Sequence, residues 1–174
     1  MTMTATVESS AADGAKDFDF WMGRWKIDNR RLLERLAGCD EWESFEAIVE
    51  AWPLPAGVGN YDQFVGVNWR PGFVGVSLRA YNRATRQWSI YWLDNRTGGF
   101  DPDTGALAAP VIGQFRHGVG EFTGPDTYEG RPIVVKYTWS RITGSSAHWE
   151  QAFSTDDGRT WETNWTMDMT RLPG

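Results

Sequence analysis

The sequence predicts an all-β protein: an antiparallel up-and-down barrel of about ten strands, with a short helix near its N-terminus. Turn-forming Gly, Pro, Asn and Asp residues recur along the chain, roughly every ten residues. Between these turns, apolar and polar side chains alternate, which is the period of a strand with one buried face. The 174 residues include 11 tryptophans, and aromatic rings favour strands. Closure of such a sheet into a barrel removes its exposed edges.

The predicted strands are joined mostly by short turns, which favours antiparallel order. They span residues 25–34, 41–52, 61–69, 73–82, 87–95, 111–116, 120–124, 132–142, 148–154 and 160–171. A single short helix is predicted over 16–23, "KDFDFWMG". The leucine spacing of 30–37 fits a helix as well as a strand. The long connections 53–60 and 96–110 are rich in Gly and Pro, and such loops are either functional rims or mobile.

Composition and charge indicate one domain and exclude several kinds of partner. Residues 1–15 are small, polar and aperiodic, which predicts a disordered arm before a single barrel domain over 16–174. The net charge is −6 and no Lys/Arg block occurs, so neither nucleic acid nor a membrane is expected as a partner. The start lacks the features of a signal peptide, and Cys39 is the single cysteine. A cytoplasmic location is predicted, and a homodimer is left open.

The stretch "STDDGRTW", residues 154–161, matches the Asp-box pattern of sialidase propellers. A propeller needs repeated blades of about 40 residues each, and no second copy of the pattern occurs, so a hairpin clasp is the better interpretation. Asp156 and Gly158 would form its tip. Its predicted inward face is Trp149, Gln151, Phe153, Trp161, Thr163, Trp165, Met167 and Met169. Its predicted outward face is His148, Glu150, Glu162, Asn164, Thr166, Asp168 and Thr170.

The same alternation predicts which side chains of two other strands point inward. On 132–142 the inward face is Tyr137, Trp139 and Arg141. On 87–95 it is Trp88, Ile90, Trp92 and Asp94. A buried charge requires a partner, so Arg141 with Asp94 is either a structural ion pair or part of a ligand site.

Three functions are compatible with this interior. The first is a small-molecule-binding barrel with an aromatic-lined cavity for a mainly apolar, aromatic or anionic ligand. Its predicted ligand-binding residues are Trp25, Arg31, Trp92, Tyr137, Trp139, Arg141, Trp149, Gln151 and Trp165. The second is a cofactor-independent lyase, isomerase or cyclase, in which Asp94 or Glu121 moves a proton and Arg141 stabilises an oxyanion. The third is a barrel packed solid, which acts as an interaction module.

No metal and no cofactor is predicted. Haem would need an axial histidine, and the chain has only His117, which is predicted at a turn, and His148, which is predicted to face outward. Two histidines so far apart, without a cysteine cluster, do not suggest a zinc site. No Gly-rich phosphate loop opens a helix.

Several blocks resemble an uncharacterised bacterial family of calycin-like barrels, similar to lipocalins and fatty-acid-binding proteins. These are "FDFWMGRW" (18–25), an F-D-F-W-x-G-x-W opening, and "WSIYWLDNR" (88–96), "VIGQFRHGVGEF" (111–122) and 148–171. Gly23-x-Trp25 is similar to the G-x-W of lipocalins, and this resemblance implies a tryptophan that closes the barrel floor against a late arginine, here Arg171. The resemblance implies a central cavity and carries no established reaction.

Overall fold

The computed structural model describes residues 13–174 as a closed ten-stranded antiparallel barrel. Each strand pairs with its neighbours in sequence, and β1 pairs with β10 to close the sheet, so the predicted fold class is confirmed. The strands are β1 Gly23–Leu32, β2 Trp42–Pro53, β3 Gly59–Gly66, β4 Val74–Asn82, β5 Gln87–Asp94, β6 Val111–Arg116, β7 Val119–Tyr128, β8 Arg131–Ser140, β9 Ser146–Ser154 and β10 Glu162–Arg171. Within the described residues, no helix has the length and apolar character needed to cross a membrane.

The N-terminal segment forms a plug beneath the barrel. It contains two 3-10 turns, Gly14–Lys16 and Asp19–Trp21, where one short helix was predicted. Phe18 and Trp21 are three residues apart, and both side chains are buried in the core. The Gly14 carbonyl accepts a hydrogen bond from Trp88 Nε1 at 3.0 Å. Asp13 and Gly14, at the end of the predicted arm, contact the barrel, and residues 1–12 lie outside the described residues.

Trp25 and Arg171 seal this floor. The Trp25 ring stacks on Trp21 with centroids 5.0 Å apart, and the Arg171 guanidinium carbon lies 4.3 Å from the centroid of the Trp25 ring. Arg171 also donates to the carbonyls of Met22 and Phe20. The predicted closure of the floor is confirmed. Trp25 is 0% exposed and has no surface on the cavity, which corrects its prediction as a ligand contact.

The β9–β10 hairpin has the predicted tip and a different register. The strands leave the tip one residue out of the predicted register, with Glu162 instead of Trp161 opposite Phe153. A bulge between Thr163 and Trp165 adds a second residue, so Met167 instead of Trp165 lies opposite Trp149. The bulge also turns Asn164 inward, where it is 0% exposed and accepts a hydrogen bond from Gln151 at 2.9 Å. Trp165, Met167 and Met169 keep their predicted inward face. Two residues predicted to point inward do not, because Thr163 is exposed and the Trp161 ring packs on the Lys136 ammonium at 4.2 Å.

Asp156 holds this tip together. It accepts hydrogen bonds from the Thr160 backbone at 2.9 Å, the Thr160 hydroxyl at 2.7 Å and the Ser154 hydroxyl at 2.8 Å. These bonds lower the pKa of Asp156 to about 2, from an ordinary value of 3.8. The tip thus favours the ionised carboxylate.

This depressed pKa predicts a pH-dependent contribution to stability. The contribution is present above the unfolded pKa and is lost as the pH falls through the folded pKa. Urea unfolding of the wild type and Asp156→Asn, followed from about pH 6 to about pH 2, is expected to show a wild-type advantage that shrinks towards the acid end. A difference between the two proteins that is independent of pH would contradict this role.

The wall between β5 and β6 is short. Only three residue pairs join the two strands, from Trp88–Gly113 to Ile90–Val111. Beyond them, residues 95–110 cross the gap as a loop, with a single bridge between Phe100 and Leu107. Residues 30–37, whose leucine spacing fits a helix as well as a strand, are a strand up to Leu32 and then a loop. The Leu36 N–H anchors this loop by donating to the Glu162 carboxylate at 2.8 Å.

Candidate ligand-binding cavity

The barrel interior is open and has two connected compartments. The inner chamber, above the floor, has a volume of about 120 Å³, and the outer chamber, at the mouth, about 440 Å³. Five residues border both chambers: Ile90, Trp92, Tyr137, Gln151 and Trp165. The interpretation of a barrel packed solid is therefore wrong.

Several inward side chains face this void. Trp92, Tyr137, Trp165 and Met167 point into the barrel and are nevertheless only half-buried, because part of their surface borders the cavity. A glycine makes room for one of them: a Cβ on Gly75 would lie 2.2 Å from Cη2 of Trp92. The indole of Trp92 thus lies across β4 at the junction of the two chambers.

The mouth carries a cluster of three arginines, Arg31, Arg35 and Arg70, on the wall of the outer chamber. Arg31 is 8% exposed, and its guanidinium carbon lies 5.8 Å from the ring centroid of Trp69 and 5.3 Å from that of Trp165. Burial lowers the pKa of Arg31, and the charges of Arg35 and Arg70 lower it further. An arginine nevertheless stays protonated in proteins, so three positive charges share this site.

Only one carboxylate among the described residues bonds to this cluster. Glu43 accepts from Arg31 Nη1 at 3.2 Å and from Trp69 Nε1 at 3.3 Å. The Nε atoms of Arg31 and Arg35 are buried without a partner within residues 13–174. Asp94 and Asp126 also border the outer chamber, but among the described residues neither forms an ion pair with the cluster, so its neutralisation is incomplete.

The inner chamber holds a buried ion pair. Arg79 Nη2 lies 2.6 Å from Asp62 Oδ2, and each residue is 3% exposed. Asp62 also accepts from Trp21 Nε1 at 2.9 Å, and Arg79 Nη1 donates to Asn60 at 3.1 Å. The guanidinium is surrounded by aromatic rings, those of Phe18, Trp21 and Trp139.

Most of the residues predicted for the ligand site lie on the cavity wall. These are Arg31, Trp92, Tyr137, Trp139, Trp149, Gln151 and Trp165. Their contact with a ligand remains a prediction. Sequence reasoning missed the Asp62–Arg79 pair, although alternation on β3 and β4 carries the signal: Asp62 shares a face with buried Phe64, and Arg79 shares one with buried Tyr81. It also missed Arg35 and Arg70, which lie in loops.

The three residues predicted for acid/base catalysis do not meet in the cavity. Arg141 follows the end of β8, is exposed and has a φ of 50°, so the alternation that predicted it inward has already stopped. Glu121 is exposed, because its neighbour Phe122 takes the inward position on β7. Arg141 lies at the floor end of the barrel and Asp94 at the mouth, so the predicted ion pair is absent.

Asp94 lies at the rim of the outer chamber, where its own loop occupies it. Its carboxylate accepts from the Arg96 and Thr97 N–H groups at 2.8 and 2.6 Å, and from the Thr97 hydroxyl at 2.7 Å. Partial burial alone would raise the pKa of Asp94, but the hydrogen bonds from Thr97 and Arg96 bring it below its ordinary value. This arrangement suits a loop cap rather than a proton shuttle.

The two histidines lie outside the cavity. His148, on the outer face as predicted, is covered by Asp168 at 2.7 Å and Glu150 at 3.0 Å. His117 is at the β6–β7 turn with a φ of 52°. Among residues 13–174, no group of three or more His, Cys, Asp or Glu side chains has the geometry to hold a metal ion.

The fold and the cavity define a calycin-like β-barrel with an aromatic-lined interior. Among solved structures, the chain is similar to the S-type phycobiliprotein lyase CPES from Guillardia theta, with a TM-score of 0.57 and 12% sequence identity. The match covers 91% of this chain and 92% of that chain, and it shows the fold. No family model and no curated protein matches the chain, so the resemblance to an uncharacterised bacterial family stays a prediction.

Proposed function

We propose that the barrel binds a mainly apolar, planar aromatic small molecule that carries an anionic group, such as a carboxylate, at the mouth. The observation that carries this proposal is Arg31, buried between two indoles on the cavity wall beside two further arginines.

The charge of the ligand follows from the arginine cluster. Three like charges held together destabilise one another, and of the acidic residues near them only Glu43 forms an ion pair with the cluster. An anion placed among them gains charge-assisted hydrogen bonds and relieves this repulsion. A cationic ligand would add to the repulsion and is not expected to bind here.

The shape of the ligand body follows from the rings. Phe73, Trp92, Trp165, Tyr137 and Phe153 border the outer chamber. Aromatic side chains favour flat apolar partners in offset or edge-to-face contact. A volume of about 440 Å³ falls within the range of small-molecule sites.

Two fluorescent probes that differ in charge test this proposal. Anilinonaphthalene sulfonate is aromatic and anionic, and phenylnaphthylamine is its uncharged counterpart. In the double variant Arg35→Gln/Arg70→Gln, sulfonate affinity is expected to fall by about tenfold or more, because charge-assisted hydrogen bonds are lost. Affinity for the neutral probe should stay within about twofold, because the rings remain. Both affinities are measured by fluorescence titration.

The matched control changes the same net charge far from the mouth. Arg24 and Arg83 are exposed, each in an ion pair on the outside of the barrel. Arg24→Gln/Arg83→Gln should leave the sulfonate affinity unchanged. An equal loss of sulfonate affinity in both double variants would show that only the net charge of the protein matters, and it would overturn the proposed site. A wild type that binds neither probe would also overturn it.

A further inference from the structure

The two chambers differ in the charge they offer a ligand. The outer chamber presents the arginine cluster, whereas the charges of the inner chamber are already paired with each other. Asp62 accepts from Arg79 Nη2, Trp21 Nε1 and, at 3.4 Å, the Ser77 N–H. An ion entering this chamber would be a buried charge without a counterion, which is strongly unfavourable. The inner end of a ligand is therefore neutral.

The inner chamber nevertheless has polar groups at its wall. Ser77, Tyr137 and Gln151 border it. Gln151 donates its amide to Asn164, which leaves its carbonyl oxygen as an acceptor. Tyr137 lies deep in the molecule with part of its surface on the void, and burial raises the pKa of its hydroxyl. The Tyr137 hydroxyl therefore stays protonated and is a donor.

Tyr137 also stands at the boundary between the chambers. It borders both, and its ring packs on Trp149 with centroids 5.0 Å apart. Met167 and Met169 line the inner chamber next to these rings, and methionine adapts to irregular shapes. A volume of about 120 Å³ thus suits a single ring rather than an extended chain.

We propose that the inner chamber receives a neutral ring bearing a carbonyl acceptor, to which Tyr137 donates a hydrogen bond, while the anionic end of the same molecule stays at the arginine cluster. This inference rests on the proposed function and narrows the ligand to a class: flat molecules with a carbonyl acceptor at one end and an anion at the other. Tyr137 is the specificity-determining residue for the carbonyl.

A matched pair of ligands tests the inference. Para-benzoylbenzoate and para-benzylbenzoate share two rings and a carboxylate, and they differ in a carbonyl against a methylene. The wild type is expected to bind the ketone about fivefold more tightly, which corresponds to one neutral hydrogen bond. In Tyr137→Phe the ratio of the two affinities should fall to about one, because the hydroxyl donor is lost and the ring is kept. In the control Tyr61→Phe, on the exposed outer face, the preference should persist.

Irradiation of bound para-benzoylbenzoate reports its orientation. The excited ketone abstracts a hydrogen atom from a nearby C–H group, and the two carbon radicals join in a new C–C bond, which reduces the ketone to a carbinol. Peptide mass spectrometry is expected to place the adduct on Met167 or Met169. An adduct on residues 95–110 would show the ketone at the mouth and overturn the inference.

The two proposals fail in different ways. If both benzoates bind equally and Tyr137→Phe has no effect, while the arginine variants still lose the sulfonate probe, only the inference on the inner chamber is wrong. If neither benzoate nor the sulfonate probe binds, the proposed function fails and the inference fails with it.

Discussion

Replacing Arg79 by methionine is expected to lower the free energy of unfolding by about 3–5 kcal/mol, the largest effect we predict for a single substitution. The variant leaves the Asp62 carboxylate buried at 3% exposure without its 2.6 Å partner. It also empties the space among the rings of Phe18, Trp21 and Trp139, where the guanidinium lies. Urea unfolding at neutral pH measures the change.

Two controls separate the unpaired charge from the loss of side-chain volume. The double variant Asp62→Leu/Arg79→Met removes both charges and is expected to recover much of the lost stability, because an apolar pair of similar volume often replaces a buried ion pair. Arg83→Met, at an exposed arginine, should change the stability little. A double variant as unstable as Arg79→Met alone would show that the unpaired charge is not the cause.

Placing a methyl group on Gly75 is expected to block the cavity. Its Cβ would lie 2.2 Å from Trp92, so the indole must move, and the open space beside it is the junction of the two chambers. We expect Gly75→Ala to weaken binding of both fluorescent probes by about tenfold or more and to lower stability by about 1–3 kcal/mol. Fluorescence titration and urea unfolding measure the two effects.

Gly144→Ala is the matched control, because a Cβ at Gly144 meets no atom within 4 Å. Its probe affinities should equal those of the wild type. Unchanged probe affinity in a folded Gly75→Ala protein would mean that the Trp92 indole moves away from the cavity. This result would contradict the placement of Trp92 at the junction of the two chambers.

The barrel was predictable from the sequence because alternation and turns are local signals. All ten strands occur near their predicted positions, and the pairing of Arg171 with Trp25 follows from the G-x-W resemblance. The bulge at Asn164 was not predictable, since it depends on packing between strands and reverses the direction of one side chain. The predicted short N-terminal helix is present as two 3-10 turns, Gly14–Lys16 and Asp19–Trp21, and its Phe18 and Trp21 side chains are buried in the core.

The candidate site was harder to predict, because it combines residues that no local pattern connects. Aromatic alternation identified Trp92, Tyr137, Trp149 and Trp165 on the wall. Arg35 and Arg70 come from loops, where alternation gives no direction, and only the folded structure brings them next to Arg31. Arg141 was wrongly predicted to point inward, because the alternation of β8 was extended one residue beyond Ser140, where the strand ends.

The sealed floor has a consequence for the order in which a ligand enters and leaves. Since Trp21, Trp25 and Arg171 close one end of the barrel, a molecule bound in the proposed orientation would enter and leave through the mouth. The end that enters first leaves last. A ligand held with its anion at Arg31 would therefore release that anion before its buried ring.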